Sequence, residues 1–400
     1  MKINILIVGA GIVGMSTAYH LSEKYPDKKI VVLEKENEVA KHQTGHNSGV
    51  IHSGIYYTPG SFKAKFARNG SNSMYEFCDM HNIKYDRCGK VIVATDESEL
   101  VRMNNLYQRG LENGLDIKLL TKEEVKEIEP HVNVVGGIHV RNTGIVDYTD
   151  VTNKLKELFI KNGGKVIFDA GVRKVFKDDQ GLFIYTKNQM FKTEFLINCA
   201  GLYSDHIAKL SGIDTDIKII PFRGEYFVVD PENEYLVNTL IYPVPNPELP
   251  FLGVHFTNMI HGGVDVGPNA VLGFKKEAYG KIGFDLRETT EILTFSGLYK
   301  MGVKNIKEGF REYYRSFNKR AFVKNAQKLI PEITGDMLTP MEAGVRAQAM
   351  KSDGTLIDDF YFESNDYSLH VLNAPSPAAT CAIEIGKEIT NRYAHVSNLN

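Results

Sequence analysis

Residues 3–14, Ile3-Asn4-Ile5-Leu6-Ile7-Val8-Gly9-Ala10-Gly11-Ile12-Val13-Gly14, and residues 30–35, Ile30-Val31-Val32-Leu33-Glu34-Lys35, decide the fold. Ile3 to Val8 is apolar and β-branched enough for a buried strand, and a glycine-rich turn follows at once. Ile12 to Lys24 reads as a helix, and Ile30 to Leu33 as a second strand closed by Glu34, twenty residues after Gly14. Each part has a physical task. Gly9 permits the tight turn, Gly11 lets the backbone approach a pyrophosphate, and Gly14 lets the helix lie close to the strand. The first helical amides, at Ile12 and Val13, face the negative charge, while Glu34, followed by Lys35, accepts ribose hydroxyls. Glycine spacing alone is weak. Strand, turn, helix and terminal acid in this order specify a βαβ unit that binds an ADP moiety, without deciding between FAD and NAD.

At 400 residues the chain exceeds one hydrophobic core, so about two domains are expected. Apolar content of 43% and charged content of 24% are ordinary for a soluble globular protein. Lys and Arg number 47 against 49 Asp and Glu, a net charge of −2, so no global field for nucleic acid is indicated. The four cysteines, Cys78, Cys88, Cys199 and Cys381, lack metal-type or disulfide spacing. They fit a reducing compartment and no metal site, and a cytoplasmic location is expected. The N-terminus enters a strand directly, so no signal peptide is expected. No apolar run approaches the ~18 residues of a membrane span, which leaves a soluble protein or one attached to a membrane surface.

Outward from the first unit, Lys41 to Tyr57 (KHQTGHNSGVIHSGIYY) is dense in small polar residues, suited to a loop and helix start that wrap a pyrophosphate. Far along the chain, Thr193 to Asp205 (TEFLINCAGLYSD) is an apolar strand ending in Ala200-Gly201, small enough for a backbone to approach a dinucleotide. Alone it is any buried strand-to-helix turn. Paired with the first unit, about 160 residues away, it implies a nucleotide domain interrupted by a second domain.

These runs resemble the FAD-dependent oxidoreductases of the D-amino-acid oxidase and glycine oxidase superfamily, and within it the L-2-hydroxyglutarate dehydrogenase/oxidase family. The likeness lies in Gln43, Thr44, His46, Asn47, Ser48 and His52, then in RCGKVIVAT (87–95), GIVDY (144–148), PFRGEY (221–226) and IYPVPNP (241–247). It continues through FLGVHFT (251–257), GPNAVLGFK (267–275), AGVRAQ (343–348) and NAPSPAAT (373–380), covering nearly the whole chain. Cys381-Ala382 departs from it, standing where two small hydroxyl residues are expected. The implied fold is α/β: a Rossmann-like FAD-binding domain of the glutathione-reductase/D-amino-acid-oxidase type (1–85, 145–215, 341–400). An α+β substrate domain with an antiparallel sheet and helices (86–144, 216–340) is inserted into it. The resemblance also puts adenine beside the Val172 backbone, and the flavin beside Ser376, Pro377, Ala378, Ala379 and Thr380.

Periodicity gives helices over Ser61–His81, Glu97–Leu111, Lys122–Glu129 and Val151–Asn162, with strands over Lys90–Ala94, Gly136–Val140, Lys165–Phe168 and Val172–Phe176. Ile217–Asp230 and Leu240–Val254 are strand-rich and are expected to cover the flavin. Leu369–Leu372 is a further strand, with helix from Ala378 onward. Lys275 to Lys328 is basic, thirteen Lys/Arg against six Asp/Glu, with amphipathic helices expected through Glu291–Met301 and Ile306–Phe322. Such a surface suits either solvent or anionic lipid with a membrane quinone beside it.

Oxidising a 2-hydroxy acid requires an electron acceptor, a base for the hydroxyl proton and cations for carboxylates. The resemblance supplies flavin N5 as hydride acceptor and L-2-hydroxyglutarate, a small dicarboxylic acid, as substrate, with quinone or oxygen as the final acceptor. Histidine suits the base. His255 is the first candidate, with His52 orienting or sharing the proton, and either could serve. Arg346 is the carboxylate fork, Arg223 a second candidate for flavin or the distal carboxylate, and Tyr56, Tyr57 and Tyr242 hydroxyl donors. A glycine- or amino-acid-type oxidase, or another 2-hydroxy-acid dehydrogenase, on the same fold is the alternative chemistry, and a non-catalytic flavoprotein the alternative class.

Overall fold

The computed structural model describes residues 3–246, 253–280, 283–302 and 318–397. Strand β1 (Ile3–Val8), helix α1 (Ile12–Lys24) and strand β2 (Ile30–Leu33) form at the expected bounds. β1 runs parallel to β2 on one side and to Met190–Asn198 on the other, with Val8 opposite Leu33 and Asn198. Lys165–Ile167 extends the parallel sheet beyond β2, and Ser368–Asn373 extends it beyond Met190–Asn198. Strands buried on both faces lose the in-out alternation of half-exposed strands, which is why β1 and β2 read as continuous apolar runs. Met190–Asn198 forks. Its first half pairs antiparallel with Gly181–Tyr185, and only its second half joins Ser368–Asn373.

A second eight-stranded sheet runs in the order Leu338–Pro340, Phe227–Val229, Val264–Gly267, His255–Asn258, Leu240–Pro243, Lys90–Ala94, Gly136–Val140, Ile117–Thr121. It is antiparallel except at one seam, where Leu240–Pro243 runs parallel to Lys90–Ala94, so the expected antiparallel sheet is a mixed one. A small sheet pairs Lys218–Gly224 with Gly344–Met350 and places Phe222 opposite Arg346. No helix among the described residues is long and apolar enough to cross a membrane.

Several elements differ from the periodicity reading. The helix expected from Val151 starts at Tyr148, because Asp147 accepts the Thr149 N–H at 2.7 Å as its cap. The strand expected from Val172 pairs only from Lys174. The amphipathic helix through Glu291–Met301 breaks. One helix is Leu286–Leu293, Thr294 turns back to bond the Thr290 carbonyl oxygen through its hydroxyl (2.7 Å), and winding resumes over 296–302. Of the helix expected over Ile306–Phe322, residues 306–317 lie outside the described residues, and the remainder enters the helix Lys319–Ala326. The last helix begins at Ala382 rather than Ala378, because the two prolines at 375 and 377 make 375–381 a series of turns. Cys381 is fully buried against Gly70 of the helix Phe62–His81.

The C-terminal helix Ala382–Val396 packs on α1 at Gly386, where a Cβ would come within 2.4 Å of Ser16 Oγ and 2.8 Å of its carbonyl carbon. Gly386→Val should therefore cost about 1–3 kcal/mol through overpacking, read as a lower urea midpoint at unchanged slope. The sheet's end holds a second sensitive point. Asn198 Nδ2 donates to Ser204 O (2.8 Å) and to His370 Nδ1 (3.0 Å), while its Oδ1 accepts the Ala200 N–H (3.1 Å). With Nδ1 accepting, the His370 proton sits on Nε2 and is donated to Ser368 Oγ (2.8 Å). Burial pulls the His370 pKa from 6.5 down to about 4. The unfolded chain binds that proton more readily, so this stabilisation is present above about 6.5 and is lost as pH falls toward 4. The loss reaches up to about 1.4 kcal/mol per pH unit. Urea midpoints measured from pH 7 to 4.5 should fall on acidification, with a shallower slope in His370→Gln.

Candidate active site

A single cavity of about 1050 Å³ runs from the β1–α1 turn to the face of the eight-stranded sheet. At one end its wall is backbone held at close quarters. Gly9 has φ +102°, and a Cβ there would lie 2.5 Å from the Cys199 carbonyl oxygen, while one on Gly14 would lie 2.0 Å from the Gly9 carbonyl oxygen. Gly14 packs helix on strand and does not reach the cavity; Gly9, Gly11, Ile12 and Val13 line it. A Cβ on Gly11 would meet only Thr44 Oγ1, at 3.3 Å, so the space over Gly11 opens to the cavity.

The Glu34 carboxylate accepts the Ala10 N–H (2.7 Å) and the Glu36 N–H (3.0 Å), which leaves each oxygen a further lone pair. Lys35 lines the cavity but spends its ammonium on Glu36 (2.7 Å) and Glu277. Glu36, His42 and Glu277 converge closely enough for one cation, and the Lys35 ammonium already bonds both carboxylates. Thr44 Oγ1 accepts the Ile12 N–H at 3.1 Å. Gln43, His46, Asn47 and Ser48 also line the wall. Asn47 ties its own turn by donating to the carbonyl oxygens of Gln43 (3.0 Å) and Thr44 (2.7 Å), and the His46 ring packs on Tyr279. Val172, Ala200, Gly201 and the turn residues Ser376, Pro377, Ala378, Ala379 and Thr380 complete this half. A glycine-floored, elongated cradle with an acid at the strand end fits FAD, whose adenosine, pyrophosphate and flavin would be held by these segments in turn.

At the other end are His52, Tyr56, Tyr57, Tyr242, His255 and Arg346, six of the seven residues placed there from sequence. The seventh, Arg223, does not line the cavity. It is buried and paired with Glu225, whose other oxygen accepts from Asn269 Nδ2 at 2.8 Å. His255 is 6% exposed, and its Nδ1 lies 3.0 Å from the Gly253 carbonyl oxygen. A carbonyl only accepts, so Nδ1 carries the proton and Nε2 keeps a lone pair. The ring stacks on Tyr242, with centroids 4.0 Å apart and planes 21° apart. Burial, with the positive charges of Arg346 and Lys90, pulls the His255 pKa down to about 3. His52 is likewise pulled to about 3 by burial, then by Lys90, His255 and Arg346. Both imidazoles are neutral at physiological pH. Burial also raises the Tyr56, Tyr57 and Tyr242 phenols, which keeps them protonated donors.

Beside Thr380, which the motifs supplied, the site draws on residues that motif reading passed over. The His52 backbone N–H donates to Thr380 Oγ1 (3.1 Å). Thr380 Oγ1 and Tyr148 Oη both reach the Val50 carbonyl oxygen, at 3.2 and 2.8 Å, so two distant segments fix the loop that carries His52. Lys90 is buried beneath the tyrosines; its signal was a lysine leading an otherwise apolar predicted strand. Arg102, Asn105, Leu106 and Arg109 line the cavity from one face of the helix Leu100–Glu112, a spacing that could have marked it.

The family described as FAD dependent oxidoreductase matches residues 4–392. The L-2-hydroxyglutarate dehydrogenase of Indibacter alkaliphilus is 48% identical over 388 residues, which is 96% of this chain and 97% of that protein. The protein of the same name from Escherichia coli K12 is 46% identical over 388 residues, 97% of this chain and 92% of its own. Among solved structures, dithionite-reduced L-α-glycerophosphate oxidase from Mycoplasma pneumoniae with FAD bound has a TM-score of 0.80 at 25% identity, covering 97% of this chain and 94% of that one. The chain belongs to the FAD-dependent oxidoreductase family, in the branch of the L-2-hydroxyglutarate dehydrogenases.

Proposed function

We propose that the protein oxidises L-2-hydroxyglutarate to 2-oxoglutarate. FAD, when bound, supplies the two-electron acceptor. The observation that carries this reading is the neutral His255 imidazole, anchored through Nδ1–H to Gly253 and presenting a free-electron-pair Nε2 in a buried wall beside Arg346. His255 takes the proton of the substrate hydroxyl, and His52 is the alternative or sharing acceptor. Arg346 holds the carboxylate next to the reacting carbon, and Tyr56, Tyr57 and Tyr242 orient the oxygens. The cradle from Gly9 to Glu34, the turn Gln43–Ser48, Val172, Ala200-Gly201 and Ser376–Thr380 hold FAD in the roles read from sequence. The same reading divides the chain into an FAD domain (1–85, 145–215, 341–400) and a substrate domain (86–144, 216–340). It is supported by the parallel sheet drawing its strands from the first set of segments and the eight-stranded sheet from the second.

The electrons leave in this reading to a membrane quinone, met at the surface of the segment from Lys275. Phe284, Leu286 and Tyr299 there are 63%, 73% and 62% exposed. Flotation with anionic vesicles, and faster flavin reoxidation by a short-chain quinone than by oxygen, are expected. Equal rates with no flotation would sink the quinone reading alone.

The reaction itself is tested by anaerobic absorbance at the oxidised-flavin band. L-2-hydroxyglutarate should bleach it, while the D-enantiomer and glycine should not. His255→Asn should slow bleaching about 10²–10⁴-fold with the flavin spectrum intact. Arg346→Lys should chiefly weaken substrate saturation. Bleaching by glycine, or by nothing, would refute the substrate.

A further inference from the structure

Lys90 leads the strand Lys90–Ala94, all of it buried, and is itself only 1% exposed. No hydrogen bond or ion pair engages its ammonium among the described residues. The ammonium lies instead over two rings, 4.7 Å from the centroid of Tyr56 and 4.8 Å from that of Tyr242. A buried lysine without a carboxylate partner is rare, because removing its charge from water is costly and two aromatic faces repay only part of that cost. Burial accordingly pulls its pKa down to about 7.

The register explains the arrangement. Leu240–Pro243 is flanked by Lys90–Ala94 on one side and by His255–Asn258 on the other. Tyr242 is thus held between the ammonium and the stacked His255 ring. The Tyr56 hydroxyl is buried without a hydrogen-bond partner, and the Tyr242 hydroxyl has only Thr257 Oγ1 close to it, in poor hydrogen-bond geometry. Both tyrosines line the cavity, whereas Lys90 sits one layer behind them. Two O–H donors, one unpartnered and one loosely partnered, backed by a buried amine that no carboxylate neutralises form a half-built site for an acceptor-only anion, which is what a carboxylate is.

We propose that Lys90 is the positioning residue of a distal-carboxylate subsite, its ammonium making the Tyr56–Tyr242 wall the place where the second carboxylate of a dicarboxylic substrate docks. This rests on the substrate reading above, and it fills the role for which Arg223, tied to Glu225, is not placed. Arg346 then serves the carboxylate beside the reacting carbon, and the two cations between them set the required length of the acid. Lys90 touches the rings rather than the substrate, so its influence is on selection and saturation, not on the proton transfer.

The test uses the FAD-loaded enzyme. Dissociation constants of 2-oxoglutarate and of 2-oxobutyrate, which lacks the distal carboxylate, are read from perturbation of the oxidised-flavin spectrum. Steady-state constants are measured for the matching L-2-hydroxy acids. Lys90→Met should weaken 2-oxoglutarate about 10–100-fold and leave 2-oxobutyrate within about twofold, raising KM for the dicarboxylate with kcat little changed. Lys90→Arg should restore most of the preference. Lys90→Met should also melt no lower than the wild type, since it removes an unpaired buried charge; a lysine present only for packing would lose stability on replacement. Tyr242→Phe, which preserves the ring, should reduce the same preference and decides the matter should Lys90→Met fail to fold. Equal loss for both ligands, or a preference that instead follows Arg102→Gln or Arg109→Gln, overturns the subsite while leaving the reaction standing. A wild-type enzyme with no preference for the dicarboxylate overturns the substrate reading and the subsite together.

Discussion

The structure depends on a close approach. β1 and its parallel neighbour end side by side, with the Cys199 N–H on the Val8 carbonyl oxygen at 2.9 Å, and one residue later the backbone at Gly9 comes so near Cys199 that no Cβ fits. Gly14 repeats the constraint one helical turn on, against Gly9 itself. A side chain at either point would lift α1 from the sheet. It would also separate the β1–α1 turn from the Ala200-Gly201 turn, which together border the nucleotide half of the cavity. The Glu34 carboxylate then ties the turn after β1 to the turn after β2 by accepting one N–H from each. The nucleotide cradle is therefore a consequence of strand ends that meet, and the loops are fixed by them.

The chemistry half obeys a different logic, in which desolvation outweighs everything else. For His52 and His255 burial is the largest influence, and the neighbouring cations push the same way. Each imidazole is therefore uncharged while the cavity holds no anion. Introducing carboxylates reverses the second influence but leaves the first. A unit charge about 6 Å away at an effective dielectric of ~20 is worth about 3 kcal/mol, or roughly two pKa units. A dianionic acid would strengthen the base that attacks its own hydroxyl, and a neutral alcohol would not. In the proposed reaction, selection of an acid and activation of the base become one electrostatic event.

How much of this was legible in the sequence depends on how local each signal is. β1, α1 and β2 fall within their own stretch, and their bounds follow from apolar runs and glycine spacing, so they were readable to the residue. His52, Tyr56, Tyr57, Tyr242, His255 and Arg346 could be placed near one cavity because the resemblance supplied the long-range contacts that a single sequence lacks. Arg223 failed that placement for a physical reason. Its partner Glu225 is two residues away along the same segment, and a charge pair at that spacing competes directly with any ligand. The break at Thr294 and the late start of the last helix escaped because side-chain back-bonding and two prolines override apolar periodicity. Asn198 and His370, 172 residues apart, meet only through the fold, and nothing in either segment announces the bond between them.

Lys90 is instructive for the opposite reason: its signal was present and local. A strand of Val, Ile and Val preceded by lysine is normally read with the lysine as an exposed end, because an ammonium leaves an apolar sheet whenever water is within reach of its stem. Here the parallel seam with Leu240–Pro243 closes over it, and Tyr56 and Tyr242 roof the space. The seam is the one place where the sheet departs from antiparallel order, so its connection cannot be a short hairpin. The chain from Ala94 to Leu240 has to leave, build other structure and return in the same direction. That detour lets a residue at the start of one strand lie under residues from two remote segments. A buried cation is hard to read from sequence because what buries it is topology, and the same topology is what makes it costly enough to need an explanation in function.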